Sequence, residues 1–225
     1  LVTSPLADGG SAVQVRPNRS PVLRADKSFE TRTADIRTEE TVLLPPRTGR
    51  REVKVLRDKW PRVLAKAREL NLNWIEPGLP GAKFGFVAAG MSYTYLRQAL
   101  AILGLEGRYP ILRLGLSFPL DKDLLREFAL QVGSVVVVEE KRRFLEEKIK
   151  DALTDCYQEG LLPKYIPVWG KKFPADLPGF PEAYGLNPSI VMERIGSLAL
   201  ALDDALASRR LIDEELAAIR DSGTE

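Results

Sequence analysis

Histidine is absent from the 225 residues of this chain, and cysteine occurs once, at Cys156. Without imidazole the chain cannot supply a Ser-His-Asp triad, a Cys-His pair, an HExxH zinc site or a histidine proton relay. A single cysteine excludes an internal disulfide, and an iron–sulfur cluster held by thiolates typically needs about four. The residues of this chain therefore cannot build the commonest nucleophilic, zinc-dependent and electron-transfer centres.

Long apolar runs and a strong charge excess are missing as well. No segment approaches the roughly 18 apolar residues of a membrane span, and no signal-peptide pattern opens the sequence. Lys and Arg number 33 against 31 Asp and Glu, a net charge of +2 that gives no reason to expect nucleic acid. We expect no membrane partner and a reducing, cytoplasmic location. Because the first residue is Leu1, we also expect a piece of a longer polypeptide.

Strand and helix patterns alternate between residues 83 and 156. Apolar runs at 84–89, 110–114 and 135–138 predict three strands buried on both faces. An amphipathic stretch follows each run, and Asp121 is the expected N-cap of the second helix. The order βαβαβα predicts a three-layer α/β domain with a mainly parallel sheet and right-handed crossovers.

The flanking segments predict four parts in the chain. Residues 1–52 suggest an extended arm or linker, with candidate edge strands at 12–15 and 41–44, and residues 53–156 form the α/β domain. Its first helix spans about 52–70, with Pro61 at an N-terminal turn or kink. Residues 157–187 predict an ordered, irregular arm rich in aromatics and proline, lying across a neighbouring surface. Residues 188–225 predict helices that pack on the domain, opened by Asn187 as N-cap and Pro188 at N1.

The residues that follow the predicted strands form the candidate ligand site, because open parallel sheets bind ligands at the carboxyl ends of their strands. A helix N-terminus after the first strand offers free backbone N–H groups to a phosphate or carboxylate. The residues of this predicted rim are Gly90, Met91, Ser92, Tyr93, Ser117, Glu139 and Arg142. Arg142 is the nearest candidate countercharge for a bound anion or for coenzyme A.

A purely structural role stays open for each of these residues. The stretch at Gly90 lacks GxGxxG and the GK[ST] of a P-loop, and the pattern favours a tight strand-to-helix turn over an anion site. Glu139 can be a general base or an acceptor for a ligand hydroxyl, or a helix-entry charge that favours the helix dipole. Cys156 lies on an apolar helical face and is expected to be a small buried hydrophobe. No residue is predicted to be catalytic or to bind a metal.

Several short segments, taken in order, carry a resemblance to a known family. They are Leu72-Asn73-Trp74, residues 83–90 (KFGFVAAG), Ser92-Tyr93, residues 114–120 (LGLSFPL) and residues 137–142 (VVEEKR). In this order and spacing they resemble the 2-oxoacid:ferredoxin oxidoreductases, and within them the indolepyruvate ferredoxin oxidoreductases. The matching part is the transketolase C-terminal-like domain, and the likeness is strongest over about residues 55–155.

The resemblance implies a parent enzyme that oxidatively decarboxylates 2-oxoacids to acyl-CoA. Such an enzyme uses thiamine diphosphate, magnesium and iron–sulfur clusters, and passes electrons to ferredoxin. This chain has no GDG…N thiamine diphosphate motif. We therefore expect a scaffold or interface domain that is inactive alone, binds none of these cofactors and contacts other domains or subunits of the parent enzyme. The alternative is a free-standing module that binds CoA or another phosphate-bearing ligand at the predicted rim.

Overall fold

The computed structural model describes residue 30, residues 32–35 and residues 44–222, which divide into two units at Lys59 and Trp60. In the first unit Thr33–Asp35 is a 3₁₀ turn, α1 spans Arg47–Lys54 and Val55–Lys59 is π-helical. The helix α1 corrects the end of the predicted extended arm, because its basic and acidic residues are good helix formers and need no buried face. The candidate strands at 12–15 and 41–43 lie outside the described residues, and Leu44 belongs to no strand.

Five strands and six helices are described in the second unit. Its elements are α2 (Trp60–Glu69), β1 (Asn73–Glu76), β2 (Gly85–Ala89), α3 (Gly90–Ile102), β3 (Ile111–Leu114), α4 (Lys122–Ala129), β4 (Val135–Val138), α5 (Leu145–Gln158), β5 (Val168–Trp169), α6 (Pro188–Leu202) and α7 (Arg209–Ser222). Pro61 is the second residue of α2.

The sheet has the strand order β1-β3-β2-β4-β5. Strands β2, β3, β4 and β5 run parallel, and β1 pairs antiparallel with β3 at the edge. The predicted parallel core of three strands is therefore confirmed. The strands β1 and β5 were not predicted, because β1 is short and half polar and β5 has two residues within a stretch rich in proline.

Helices cover both faces of the sheet. Helices α3 and α6 pack with the sheet residues Phe84, Phe86 and Val136 in one apolar cluster. Helices α4 and α5 pack with Val87, Val135 and other sheet residues in a second cluster on the opposite face. The predicted three-layer α/β class is confirmed, since apolar side chains on both faces of β2 and β4 leave each face a helical layer to bury against.

The aromatic arm of residues 157–187 belongs to the second unit and packs into its apolar core. Phe173 and Phe180 are buried and meet edge to face, with ring centroids 5.4 Å apart. The carboxamide oxygen of Asn187 accepts a hydrogen bond from the backbone N–H of Ile190 at 2.9 Å, so the predicted cap of α6 is confirmed. Helix α6 packs on α3, and α7 packs on α6.

Candidate functional site

The predicted rim lies along one edge of the sheet, because β2, β3 and β4 are adjacent and parallel and therefore end on the same side. Gly90 follows β2 directly as the first residue of α3. Ser117 lies in the loop after β3, and Glu139 follows β4. The structure thus brings together on one edge the three strand ends that sequence order alone keeps apart.

The N-terminus of α3 begins without a side-chain cap. Ala89 occupies the N-cap position in an extended conformation, and no side chain accepts a hydrogen bond from the first turn. Gly90 has a φ of +54°, a left-handed conformation that favours glycine and allows the strand to turn directly into the helix. Met91 is 47% exposed, whereas Ser92 is buried against the sheet.

The loop after β3 is held by Asn73 from β1. The Asn73 side-chain oxygen accepts hydrogen bonds from the backbone N–H groups of Gly115 and Leu116, at 2.9 and 2.8 Å. Its amide nitrogen donates to the Leu116 carbonyl at 3.2 Å. Gly115 also has no room for a side chain, since a Cβ there would lie 2.5 Å from the Leu72 carbonyl oxygen. Asn73 therefore fixes the backbone that presents Ser117, a role that sequence analysis missed.

The carboxylate of Glu139 caps α5. Its oxygens accept hydrogen bonds from the backbone N–H groups of Phe144, Leu145 and Glu146, at 3.1, 2.8 and 3.1 Å. Of the two roles considered for Glu139, the structure supports the helix-entry charge, because both oxygens are already engaged. Phe144 is the N-cap residue of α5 and is 53% exposed.

A buried lysine ties the aromatic arm to the end of β4. The Lys171 ammonium donates to the backbone carbonyls of Glu139 and Pro181, at 2.6 and 3.2 Å. Its backbone N–H donates to the buried carboxylate of Glu146 at 2.8 Å, which also pairs with Lys150. Burial lowers the pKa of Lys171. No sequence signal pointed to Lys171, because it comes from a segment without regular periodicity.

Beside the rim, an arginine lies between two aromatic rings. The Arg113 guanidinium carbon is 4.2 Å from the centroid of Trp74 and 4.5 Å from that of Tyr93. The Tyr93 hydroxyl donates to Glu76, and the Arg97 guanidinium donates to the other oxygen of Glu76 at 2.7 Å. Burial, followed by the bond to Glu76, raises the pKa of Tyr93. We call the three stacked side chains of Trp74, Arg113 and Tyr93 the arginine stack.

Large apolar side chains stand exposed after each of the three rim strands. Met91 follows β2, Phe118 follows β3 and Phe144 follows β4, with exposed fractions of 47%, 46% and 53%. Phe118 also meets the Trp60 ring edge to face at 5.1 Å. Arg142 is exposed and forms no ion pair with any residue that the structure describes.

The described ranges contain neither a metal-binding group nor a membrane-spanning helix. Within residues 30, 32–35 and 44–222, no group of three or more His, Cys, Asp or Glu side chains is arranged to hold a metal ion. Across the same residues, no helix combines the length and the hydropathy that a membrane crossing needs. Cys156 is buried, as the sequence pattern predicted.

Comparison with known proteins places most of the second unit in one group. Residues 75–222 match the indolepyruvate oxidoreductase domain family. Indolepyruvate oxidoreductase subunit IorA of Thermococcus kodakarensis is 36% identical over 126 residues, which cover 56% of this chain and 18% of that protein. The subunit IorA of Methanothermobacter thermautotrophicus is 31% identical over 154 residues, which cover 68% of this chain and 23% of that protein. The chain therefore spans about a fifth of the length of these curated relatives.

Two solved structures are similar at lower identity. The 2-oxoglutarate:ferredoxin oxidoreductase from Magnetococcus marinus, with 2-oxoglutarate, coenzyme A and succinyl-CoA bound, is 15% identical with a TM-score of 0.39. That match covers 70% of this chain and 24% of the other. The inactive beta4 tetramer of a split-gene transketolase is 21% identical with a TM-score of 0.34, over 66% of this chain and 42% of the other.

Proposed function

Because the chain belongs to the indolepyruvate oxidoreductase domain family, we propose that it is a non-catalytic scaffold and interface domain of a cytoplasmic 2-oxoacid oxidoreductase. The parent reaction is the thiamine-diphosphate-dependent oxidative decarboxylation of an indolepyruvate-type 2-oxoacid to its acyl-CoA. Ferredoxin accepts the electrons through iron–sulfur clusters. Other domains or subunits supply thiamine diphosphate, magnesium and the clusters.

The residues of this chain do not fit those cofactors. Its one cysteine is buried on α5 and cannot serve as the ligand set of a cluster. The rim carboxylate of Glu139 is engaged by three backbone N–H groups, and that of Glu76 by Tyr93 and Arg97. No step of the parent reaction is therefore assigned to this chain.

The observation that carries the interface role is the apolar rim of Met91, Phe118 and Phe144. Each side chain is about half exposed, and the three follow adjacent parallel strands. Large apolar side chains gathered on one edge favour burial by a partner, since burial of each releases about 25 cal/mol for every Å² removed from water. By contrast, the side chains of Glu139 in the rim and of Asn73 beside it accept hydrogen bonds from backbone N–H groups of this chain.

The test is a set of substitutions in the complete oxidoreductase that contains this domain. Met91, Phe118 and Phe144 are each changed to Ser, singly and together. We expect weakened subunit or domain association in sedimentation, and reduced 2-oxoacid-dependent reduction of ferredoxin, with the unfolding midpoint of the isolated chain little changed. Leu130→Ser is the matched control. Leu130 is 51% exposed and lies between α4 and β4, toward the amino ends of the parallel strands and away from the rim.

Two results count against the interface role. In the first, the rim variants associate and turn over as well as the Leu130→Ser control. In the second, the purified chain alone, given a 2-oxoacid, thiamine diphosphate, magnesium and CoA, reduces ferredoxin.

A second candidate function is a module that binds CoA or another phosphate-bearing ligand at the predicted rim. It is favoured by the uncapped N-terminus of α3 and by the exposed Arg142. We expect no saturable binding at millimolar CoA. Saturable binding that is weakened by Met91→Glu, a change at an exposed position of the first turn, supports the module instead. Glu140→Gln is the control, because it alters a neighbouring exposed charge without adding one.

A further inference from the structure

We propose that the arginine stack is a binding site for an oxyanion, a carboxylate or a phosphate, of a small molecule. The site lies on the α3 side of the sheet and is distinct from the N-terminal backbone of α3. It goes beyond the scaffold role, and it is tested on the isolated chain, so that its failure leaves the scaffold proposal untouched.

The position of Arg113 is fixed by strand pairing. Arg113 on β3 is in register with Trp74 on β1 and with Ala88 on β2. Tyr93, from the first turn of α3, supplies the second ring. Two aromatic faces at 4.2 and 4.5 Å hold the guanidinium plane and reduce the conformational freedom that ligand binding would otherwise have to remove.

The nitrogen atoms of Arg113 remain available. Arginine carries five N–H donors, and among the described residues none accepts a hydrogen bond from Arg113 or forms an ion pair with it. Arg113 is half-buried. Its side-chain nitrogens are not fully buried atoms that lack a hydrogen-bond partner, so they reach solvent. A guanidinium held in place with unengaged donors matches the two-oxygen geometry of carboxylate and phosphate.

Arg113 carries the positive charge of the stack, and the neighbouring charges of Glu76, Arg97 and Glu106 are paired with one another. Glu76 is the nearest carboxylate to the stack, and its oxygens are engaged by Tyr93 and Arg97. Arg97 also lies 3.7 Å from Glu106, which is exposed. Among the described residues none forms an ion pair with Arg113. Arg113 is half-buried, a less polar setting than that of a surface arginine, and charge-assisted hydrogen bonds are stronger there.

An adjoining cavity can accept the body of the ligand. It has a volume of about 350 Å³ and is lined by Trp74, Glu76, Arg97, Leu100 and Tyr109, among others. Arg113 does not line this cavity, and Trp74 belongs to both the cavity and the stack, so under this proposal a ligand bound to Arg113 extends past the indole ring. This volume lies in the usual range for small-molecule sites.

The test follows the backbone amide resonances of residues 74, 93 and 113 in the 15N-labelled chain, which are present in every variant. Inorganic phosphate and acetate are titrated separately at constant ionic strength, with chloride as the balancing anion. We expect a saturable chemical-shift change at millimolar anion. Arg113→Lys keeps the positive charge but loses the paired N–H donors of the guanidinium, and should weaken the anion affinity roughly tenfold. Arg210→Lys is the matched control, the same substitution at a 92% exposed arginine on α7, and leaves the affinity unchanged. Tighter binding of phosphate or of acetate identifies which oxyanion the site prefers, and either result supports it.

Variants of Trp74 test the stack independently, in case Arg113→Lys impairs folding. Trp74→Leu removes one wall of the stack and is expected to weaken anion binding severalfold, while Trp74→Phe retains most of it. Three results overturn the proposal: shifts that rise linearly for both anions, equal weakening by Arg113→Lys and Arg210→Lys, or saturation by an oligoglutamate peptide alone. The last result assigns the stack to an acidic protein partner.

Discussion

The guanidinium of Arg68 and the carboxylate of Asp121 form a two-point ion pair, with Nε–Oδ2 at 2.7 Å and Nη2–Oδ1 at 2.6 Å. The pair joins α2 to the start of α4, because Asp121 is also the N-cap of α4 and accepts from the Leu124 backbone N–H at 3.2 Å. The Asp121 carboxylate is buried while Arg68 is half exposed. One buried side chain thus links two helices that are separated by β1, β2, α3 and β3 in the chain.

Replacing Asp121 should destabilise the second unit. Asp121→Ala removes the cap and the ion pair together, and we expect a loss of about 1–3 kcal/mol in the free energy of unfolding by urea. Asp121→Asn keeps an oxygen for the cap and should lose less. Asp123→Ala is the control, because its exposed carboxylate also contacts Arg68 but caps nothing. An equal loss in Asp121→Ala and Asp123→Ala would contradict this account.

The contribution of Asp121 should depend on pH. The hydrogen bond from Arg68, above all other causes, lowers the pKa of Asp121, against the opposing effect of burial. A lowered pKa in the folded state means that the stabilisation is complete above the unfolded value of about 3.9 and is lost as pH falls through the folded value. The stability difference between the natural chain and Asp121→Asn should therefore be constant near neutral pH and shrink in acid. A difference that grows in acid has the wrong sign.

Removing the Glu139 carboxylate should loosen the start of α5. Glu139→Ala leaves three backbone N–H groups without their acceptor, and we expect a loss of about 1–2 kcal/mol in urea unfolding. The adjacent Glu140→Ala is the control, since that side chain is exposed, and should change stability by less than about 0.5 kcal/mol. Equal effects of the two substitutions would remove Glu139 as the cap.

Asn73 should control the order of the rim loop after β3. In Asn73→Ala we expect faster hydrogen exchange at the Leu116 amide, because its acceptor is gone, and a smaller change at Gly115, whose amide also donates to the Leu72 carbonyl at 2.9 Å. Asn187→Ala supplies the reciprocal control, with faster exchange at Ile190 and no change at Gly115. Unchanged exchange at Leu116 in Asn73→Ala would show that the side chain does not hold this loop.

Cys156 should react with thiol reagents when the chain unfolds and hardly before. Burial on α5 raises the pKa of the Cys156 thiol, so less of the reactive thiolate is present at a given pH. Labelling should therefore be slow in buffer, fast in urea and faster at higher pH. Leu130→Cys in a Cys156→Ala background should label rapidly without urea, because position 130 is exposed. Equally rapid labelling of Cys156 in buffer would show that the thiol is accessible.

Local pattern was enough to predict the three parallel strands and two of the helix caps. The run Val135–Val138 is apolar on both faces and is observed as β4 with the same bounds. Asp121 is the N-cap of α4 and Asn187 is the N-cap of α6, as the sequence predicts. The family resemblance is confirmed by the match over residues 75–222. These features were predictable because strand burial and helix capping depend on residues close together in sequence.

The sequence by itself determined the α/β class, the family, and the absence of a histidine or multi-cysteine centre. The tertiary structure decided which of two open roles each polar residue takes. The sequence allows Glu139 to bind a ligand, but in the structure its carboxylate accepts hydrogen bonds from three backbone N–H groups. No sequence pattern distinguishes Arg113, which the structure places over the Trp74 ring. The partners of Arg113 come from β1 and α3, and that of Asp121 from α2. Contacts between residues so distant in the chain follow from sheet order and helix packing, which residue periodicity does not encode.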